Sequence, residues 1–129
     1  MGTGTELGRV RGLGAAHEGT HHWWLQRVTA AGNLFLMIWF VVSLARLPVI
    51  DHAAMVLWLK SPFVAVALIL LVVSVFWHFR LGLQVLMEDY VHEPGNKVAC
   101  ILILNAYVVV CAALCIFSIL KIAFGGVPA

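Results

Sequence analysis

Charged side chains are scarce in this sequence. Asp, Glu, Lys and Arg make up 11% of the 129 residues, whereas 63% are hydrophobic, a composition far outside the range of soluble globular proteins. The formal net charge of +2 and the lack of a basic cluster give no support to nucleic-acid binding. There is also no glycine-rich phosphate loop, no Ser/His/Asp constellation and no internal repeat. These absences argue against a soluble enzyme and favour a membrane protein.

Cysteine is sparse as well. The three cysteines, Cys100, Cys111 and Cys115, all lie in the last apolar stretch of the chain. An odd number of cysteines within a bilayer does not form a disulfide framework. Packing as small apolar side chains is the favoured interpretation, with ligation of a soft metal as the alternative.

The few charges divide the chain into three long apolar stretches. A hydrocarbon core about 30 Å thick needs about 20 residues of helix, because only a helix satisfies its own backbone groups without water. We predict an all-α membrane protein with transmembrane helices near 28–47, 63–87 and 98–124, in a domain formed by 21–129. Residues 1–20 are expected to form a flexible cytoplasmic arm. Three helices have little surface to bury against one another, so we expect the chain to work in a larger complex.

The distribution of basic residues predicts the orientation. With the N-terminus in the cytoplasm, five basic residues lie inside and three outside, which satisfies the positive-inside rule. The inside group contains Arg9, Arg11, Arg27, Arg80 and Lys97, and the outside group Arg46, Lys60 and Lys121. The N-terminal arm lacks the apolar core of a secretory signal peptide. The predicted topology is therefore N-inside and C-outside.

An ionisable residue, His78, interrupts the second apolar stretch. Such residues are costly in a membrane, and the default hypothesis for one is function. Ser74 and Gly82 lie four residues before and after His78 on the same helical stripe. Their small size suggests an open surface on which a flat macrocycle could lie, with the imidazole as an axial haem ligand. The alternative is a histidine that hydrogen-bonds across the helix bundle.

Two chain segments on the predicted cytoplasmic side carry further candidate ligand-binding residues. His21 and Arg27 precede the first span and could meet an anionic ligand group, whereas Asp89 and Tyr90 end the second helix. If the helix persists, Tyr90 lies roughly 18 Å from His78 along the axis, near the membrane surface. From position alone, the favoured interpretations are an aromatic-belt residue for Tyr90 and a solvated helix-end charge for Asp89.

Three other polar residues have open interpretations. Arg80 lies two residues from His78 and therefore on another face. It either extends to the cytoplasmic surface or reaches a haem propionate. Asn33 and Asn105, within the first and third spans, are expected to hydrogen-bond between helices.

Two spacings together resemble a known family. The pattern S-x3-H-x3-G-x-Q-V-L-x2-D-Y over residues 74–90 closely resembles the smaller membrane-anchor subunits of succinate dehydrogenase, complex II. The pattern H-x-W-x3-R-x-T over 21–29, which leads into the first span, is similar to the same family. The resemblance covers about residues 20–124.

The resemblance implies a role for individual residues. His78 corresponds to the axial ligand of a haem b whose other ligand belongs to the larger cytochrome b anchor subunit. Arg27 and His21 correspond to residues near the haem propionates. Tyr90 corresponds to a tyrosine that hydrogen-bonds a ubiquinone carbonyl, and Asp89 to the acid beside it.

The same resemblance implies a function. Electrons from succinate would pass through a flavoprotein and an iron-sulfur subunit to ubiquinone, and this chain would hold the complex in the bilayer without oxidising succinate itself. The alternatives are the anchor of a quinol:fumarate reductase and a non-redox scaffold subunit. The short arm favours the inner (cytoplasmic) membrane of a bacterium over the mitochondrial inner membrane.

Overall fold

A computed structural model describes residues 5–6 and 19–125. Over these residues the chain is all-α, without a β-strand, as the composition predicts. Within residues 19–125 the helices are α1 (Gly19–Ala45), α2 (His52–Leu59), α3 (Pro62–Tyr90) and α4 (Pro94–Phe124). Most of the predicted arm, with Arg9, Arg11 and His17, lies outside the described residues.

Three of these helices are long and apolar enough to cross a membrane, namely α1, α3 and α4 with 27, 29 and 31 residues. This number agrees with the sequence prediction. The helices extend beyond the predicted spans, because α1 begins at Gly19 rather than near residue 28 and α3 continues to Tyr90. The length of an apolar stretch gives only the part of a helix that lipid can cover. Backbone hydrogen bonds extend the helix further, into the polar residues at either end.

The connection between the first two long helices contains the short helix α2. Asp51 caps α2, because its carboxylate accepts a hydrogen bond from the Ala54 N–H at 2.7 Å. The Trp58 indole N–H donates to Ser43 Oγ at 2.9 Å and so ties α2 to the end of α1. Both α3 and α4 begin with a proline, a residue that is favoured at the first position of a helix.

The helix α3 lies between α1 and α4 and packs against both. The best-buried cluster, Val64, Leu68 and Leu71, is in the first half of α3, where Trp39 and Trp58 pack against it. Large apolar side chains are nevertheless exposed on every long helix, among them Phe35, Phe63 and Ile103. An apolar exterior of this extent is expected where lipid or other subunits, rather than water, surround the protein.

Candidate functional site

The contact between α1 and α3 positions the central histidine. A Cβ built on Gly32 would lie 3.4 Å from Ser74 Oγ, so α1 and α3 approach closely here. The Ser74 hydroxyl also donates to the Thr29 carbonyl oxygen, at 3.5 Å. Small residues allow helix backbones to come this close in membranes. Ser74 therefore serves helix packing and does not form the open surface that the sequence suggested on its side of His78.

His78 lies one turn further along α3 and is half-buried. Its Nδ1 is 3.1 Å from Thr29 Oγ1, which joins α3 to α1. The same hydroxyl oxygen lies 2.8 Å from the Leu25 carbonyl and 3.1 Å from the Gln26 carbonyl. The hydrogen bond across the bundle that the sequence offered as an alternative is thus formed, and it uses only one of the two ring nitrogens.

Space remains on the other side of the imidazole. Gly82, one turn beyond His78, has no atom within 4 Å of an added Cβ. Half of the predicted open stripe is therefore present on the surface of this chain. The histidine combines one occupied nitrogen with an open surface of minimal side-chain bulk.

The end of α3 presents the other predicted residues to the surroundings. Tyr90, the last residue of the helix, is 76% exposed, and Asp89 beside it is exposed as well. The neighbouring contacts hold the helix end in place: Lys97 Nζ donates to the Glu88 carbonyl oxygen at 3.0 Å. The carboxylate of Glu88 accepts from Gln84 Nε2 at 2.9 Å. Hydrogen bonds thus stabilise the helix end that carries Asp89 and Tyr90.

The residues predicted near an anionic ligand lie at the start of α1. His21 and Arg27 are both exposed, and the Arg27 guanidinium carbon lies 5.1 Å from the centre of the Trp23 ring. A cation over an aromatic face has a defined orientation without being neutralised. Also on α1, His22 Nε2 and Asn33 Oδ1 are buried without a hydrogen-bond partner in the described part of the chain. The Asn33 carbonyl oxygen does not form the interhelical bond that we expected.

Arg80 points to the other side of α3. Its Nε donates to Asn105 Oδ1 of α4, and its guanidinium carbon lies 5.5 Å from the centre of the Trp77 ring. This contact differs from both sequence predictions for Arg80, because the side chain crosses to the neighbouring helix. It confirms the interhelical role of Asn105.

The pairing of Thr29 with His78 and the close approach at Gly32 were not predicted from the sequence. The available signal was that Thr29 and Gly32 lie about one turn apart on α1, as do Ser74 and His78 on α3. Two such pairs on antiparallel helices can meet side by side. A single sequence does not say which helix faces are in contact.

A family model described as "Succinate dehydrogenase/Fumarate reductase transmembrane subunit" matches residues 1–116. The chain belongs to this family. Membership agrees with the three long apolar helices, and the protein is a multi-pass membrane protein. No solved structure gives a significant match to the chain.

Several curated members of the family are similar over most of their length. The chain is 34% identical over 113 residues to the succinate dehydrogenase hydrophobic membrane anchor subunit of Rickettsia conorii, an alignment that covers 81% of this chain and 90% of the relative. The subunit of the same name from Rickettsia felis is 35% identical over 103 residues, covering 74% and 86%. That of Paracoccus denitrificans is 28% identical over 119 residues, covering 92% and 91%.

Proposed function

We propose that the chain is the membrane anchor subunit of a succinate:ubiquinone oxidoreductase, in which it supplies one axial ligand to a haem b and part of the ubiquinone-reducing site. The observation that carries this proposal is His78, an imidazole within a membrane-spanning helix with open space beside it at Gly82. Family membership supports the assignment to this class of complex.

The residues around His78 fit a haem. A porphyrin lying against a helix needs little side-chain bulk beside the coordinating atom, and Gly82 supplies this on one side. His78 would supply one ligand to the haem iron, and a second anchor subunit would supply the other. Haem, when bound, accepts and releases one electron. Arg27 and His21 are assigned to the propionates, since a guanidinium beside a carboxylate forms strong charge-assisted hydrogen bonds.

Tyr90 and Asp89 are assigned to ubiquinone. A tyrosine at a helix end near the membrane surface combines an apolar ring with a hydroxyl that donates to a quinone carbonyl. Its 76% exposure means that this chain leaves room for a ligand or another subunit to cover it. Asp89, also exposed, would exchange protons with water near the quinone.

The remaining parts of the complex follow from this assignment. An iron-sulfur subunit would deliver electrons near Tyr90, and a flavoprotein would oxidise succinate. Both would attach on the cytoplasmic side of a bacterial inner membrane, where the α1 start and the α3 end lie together. The anchor itself contributes binding and orientation to the reaction.

The test is a reduced-minus-oxidised spectrum of the purified complex that carries His78→Ala. We expect most of the b-type absorption to be lost. His52→Ala is the matched control, since that histidine is exposed at the start of α2, and its spectrum should match wild type. A b-type signal that persists unchanged in His78→Ala would disprove haem ligation and favour a non-redox scaffold.

A quinol:fumarate reductase anchor is the second candidate, because the family description covers fumarate reductase as well. The same residues would then serve electron flow in the opposite direction. Succinate-driven quinone reduction that greatly exceeds quinol-driven fumarate reduction in the purified complex would support the first assignment, and the reverse ratio the second.

A further inference from the structure

We propose that Thr29 is a positioning residue that fixes the tautomer of His78 and so leaves Nε2 as the nitrogen that binds iron. The inference rests on the proposed function, since it takes His78 to be a haem ligand. Thr29 would act through His78, by way of the hydrogen bonds of its single hydroxyl group.

The single proton of the Thr29 hydroxyl is already used. Oγ1 lies 2.8 Å from the Leu25 carbonyl oxygen and 3.1 Å from that of Gln26. Carbonyl oxygens only accept, so the hydroxyl proton points to these two backbone groups. Toward any third partner, Oγ1 can act only as an acceptor.

The third partner is His78 Nδ1, at 3.1 Å from Oγ1. Because Oγ1 accepts there, Nδ1 must be the donor and therefore carries the proton. In a neutral imidazole the other nitrogen then has a free lone pair. Thr29 thus stabilises the tautomer in which Nε2 is ready to coordinate a metal.

The contact one turn away holds Thr29 in place. The Ser74 hydroxyl donates to the Thr29 carbonyl oxygen at 3.5 Å, and Gly32 lets Ser74 approach α1. Both the hydroxyl and the carbonyl oxygen of Thr29 therefore contact α3. A ligand ring held by a hydrogen bond on its distal nitrogen keeps its orientation and becomes a stronger donor to the metal.

The test compares Thr29→Val, which has nearly the same shape without the hydroxyl, with Thr29→Ser, which keeps the hydroxyl. Haem transfer from the purified complex to apomyoglobin and the midpoint potential of the haem are measured for each. For Thr29→Val we expect haem loss on the order of 10-fold faster, since loss of such a supporting hydrogen bond typically weakens metal binding by about 10- to 100-fold. The potential should shift upward, because the imidazole becomes a weaker electron donor, and Thr29→Ser should restore both values.

Ser43→Ala is the matched control, because it removes a hydrogen bond of α1 to Trp58 at the other end of the helix. It should leave haem retention and potential at their wild-type values. If Thr29→Val prevents assembly of the complex, Thr29→Ala removes the hydroxyl without placing a methyl group against the backbone carbonyls and His78, and the same two measurements are made on it.

The outcomes separate this inference from the proposed function. Wild-type haem retention and potential in Thr29→Val, together with haem loss in His78→Ala, would refute the role of Thr29 and leave the ligand assignment intact. Normal haem binding in His78→Ala would refute the ligand assignment itself. Equal changes in Thr29→Ser and Thr29→Val would show that side-chain packing, and not the hydroxyl, is responsible.

Discussion

A bulky side chain in place of Gly32 should separate α1 from α3 and weaken the hydrogen bond that supports His78. An added Cβ would lie 3.4 Å from Ser74 Oγ, which is close to ordinary van der Waals contact, so Gly32→Ala should be tolerated. Alanine should even stabilise the helix by about 0.5–1 kcal/mol, because glycine loses more backbone entropy. Gly32→Ala therefore tests whether α1 and α3 leave room for one added methyl group, as this distance indicates.

Gly32→Leu goes beyond what this space allows. The leucine Cγ lies about 1.5 Å beyond Cβ, so in a rotamer directed at Ser74 it would come to about 2 Å from Oγ, against a preferred contact of about 3.5–4.0 Å. The helices must then move apart by more than an ångström. The Thr29–His78 distance, now 3.1 Å, would exceed hydrogen-bonding range. Overpacking of this kind costs about 1–3 kcal/mol.

The assay is heat stability together with haem absorption of the purified complex. We expect Gly32→Ala to keep the wild-type haem content with a melting temperature equal to or slightly above wild type, whereas Gly32→Leu should lower the melting temperature and the haem content together. Gly82→Leu is a contrasting variant, because an added Cβ there meets nothing within 4 Å on this chain. It should lose haem without changing the packing of α1 on α3. A Gly32→Leu complex with wild-type stability and spectrum would refute the close crossing as the support of His78.

Further predictions concern the ends of α3 and its other face. Tyr90→Phe should slow quinone reduction about fivefold, from about 1 kcal/mol for one lost hydrogen bond, while succinate oxidation by an artificial acceptor stays normal; Tyr107→Phe on exposed α4 surface is the control. Equal loss of both activities in Tyr90→Phe would indicate misassembly instead. Arg80→Met should destabilise the complex by about 1–3 kcal/mol in thermal or urea unfolding, because it leaves the Asn105 oxygen without its donor. The haem spectrum of Arg80→Met should be unchanged. The same is expected of the control Arg46→Gln, which replaces an exposed arginine. An altered spectrum in Arg80→Met would mean that Arg80 reaches the haem.

The sequence predicts the three long helices because apolar length is a property of each segment alone. It did not predict α2, since eight residues beginning at His52 carry no strong periodic signal and their start depends on a single cap at Asp51. It also located His78, because an ionisable residue stands out against an apolar run. The roles of Ser74 and Arg80 were different from those expected, since spacing places residues on a stripe without showing which neighbour covers it.

One of these contacts was nevertheless within reach of sequence reasoning. The helices α3 and α4 are separated only by residues 91–93, so residues at equal distances from this turn lie side by side. Arg80 and Asn105 satisfy this condition within one residue, and they are hydrogen-bonded. Thr29 and His78 are instead separated by α2 and two connections, so no short turn fixes their register. Pairing across long connections depends on packing that only the folded chain contains.

The exposure of Tyr90 determines which preparation, the isolated chain or the complete complex, should reveal an effect of Tyr90→Phe on quinone binding. A phenol that is 76% exposed on this chain exchanges hydrogen bonds with its surroundings and discriminates little between quinone and water. If Tyr90 binds quinone as proposed, a covering subunit that excludes water would make the hydroxyl selective for a quinone carbonyl. Quinone binding to the isolated chain should therefore be insensitive to Tyr90→Phe, whereas binding to the complete complex should weaken. An equal loss in both preparations would mean that the chain forms the quinone site alone.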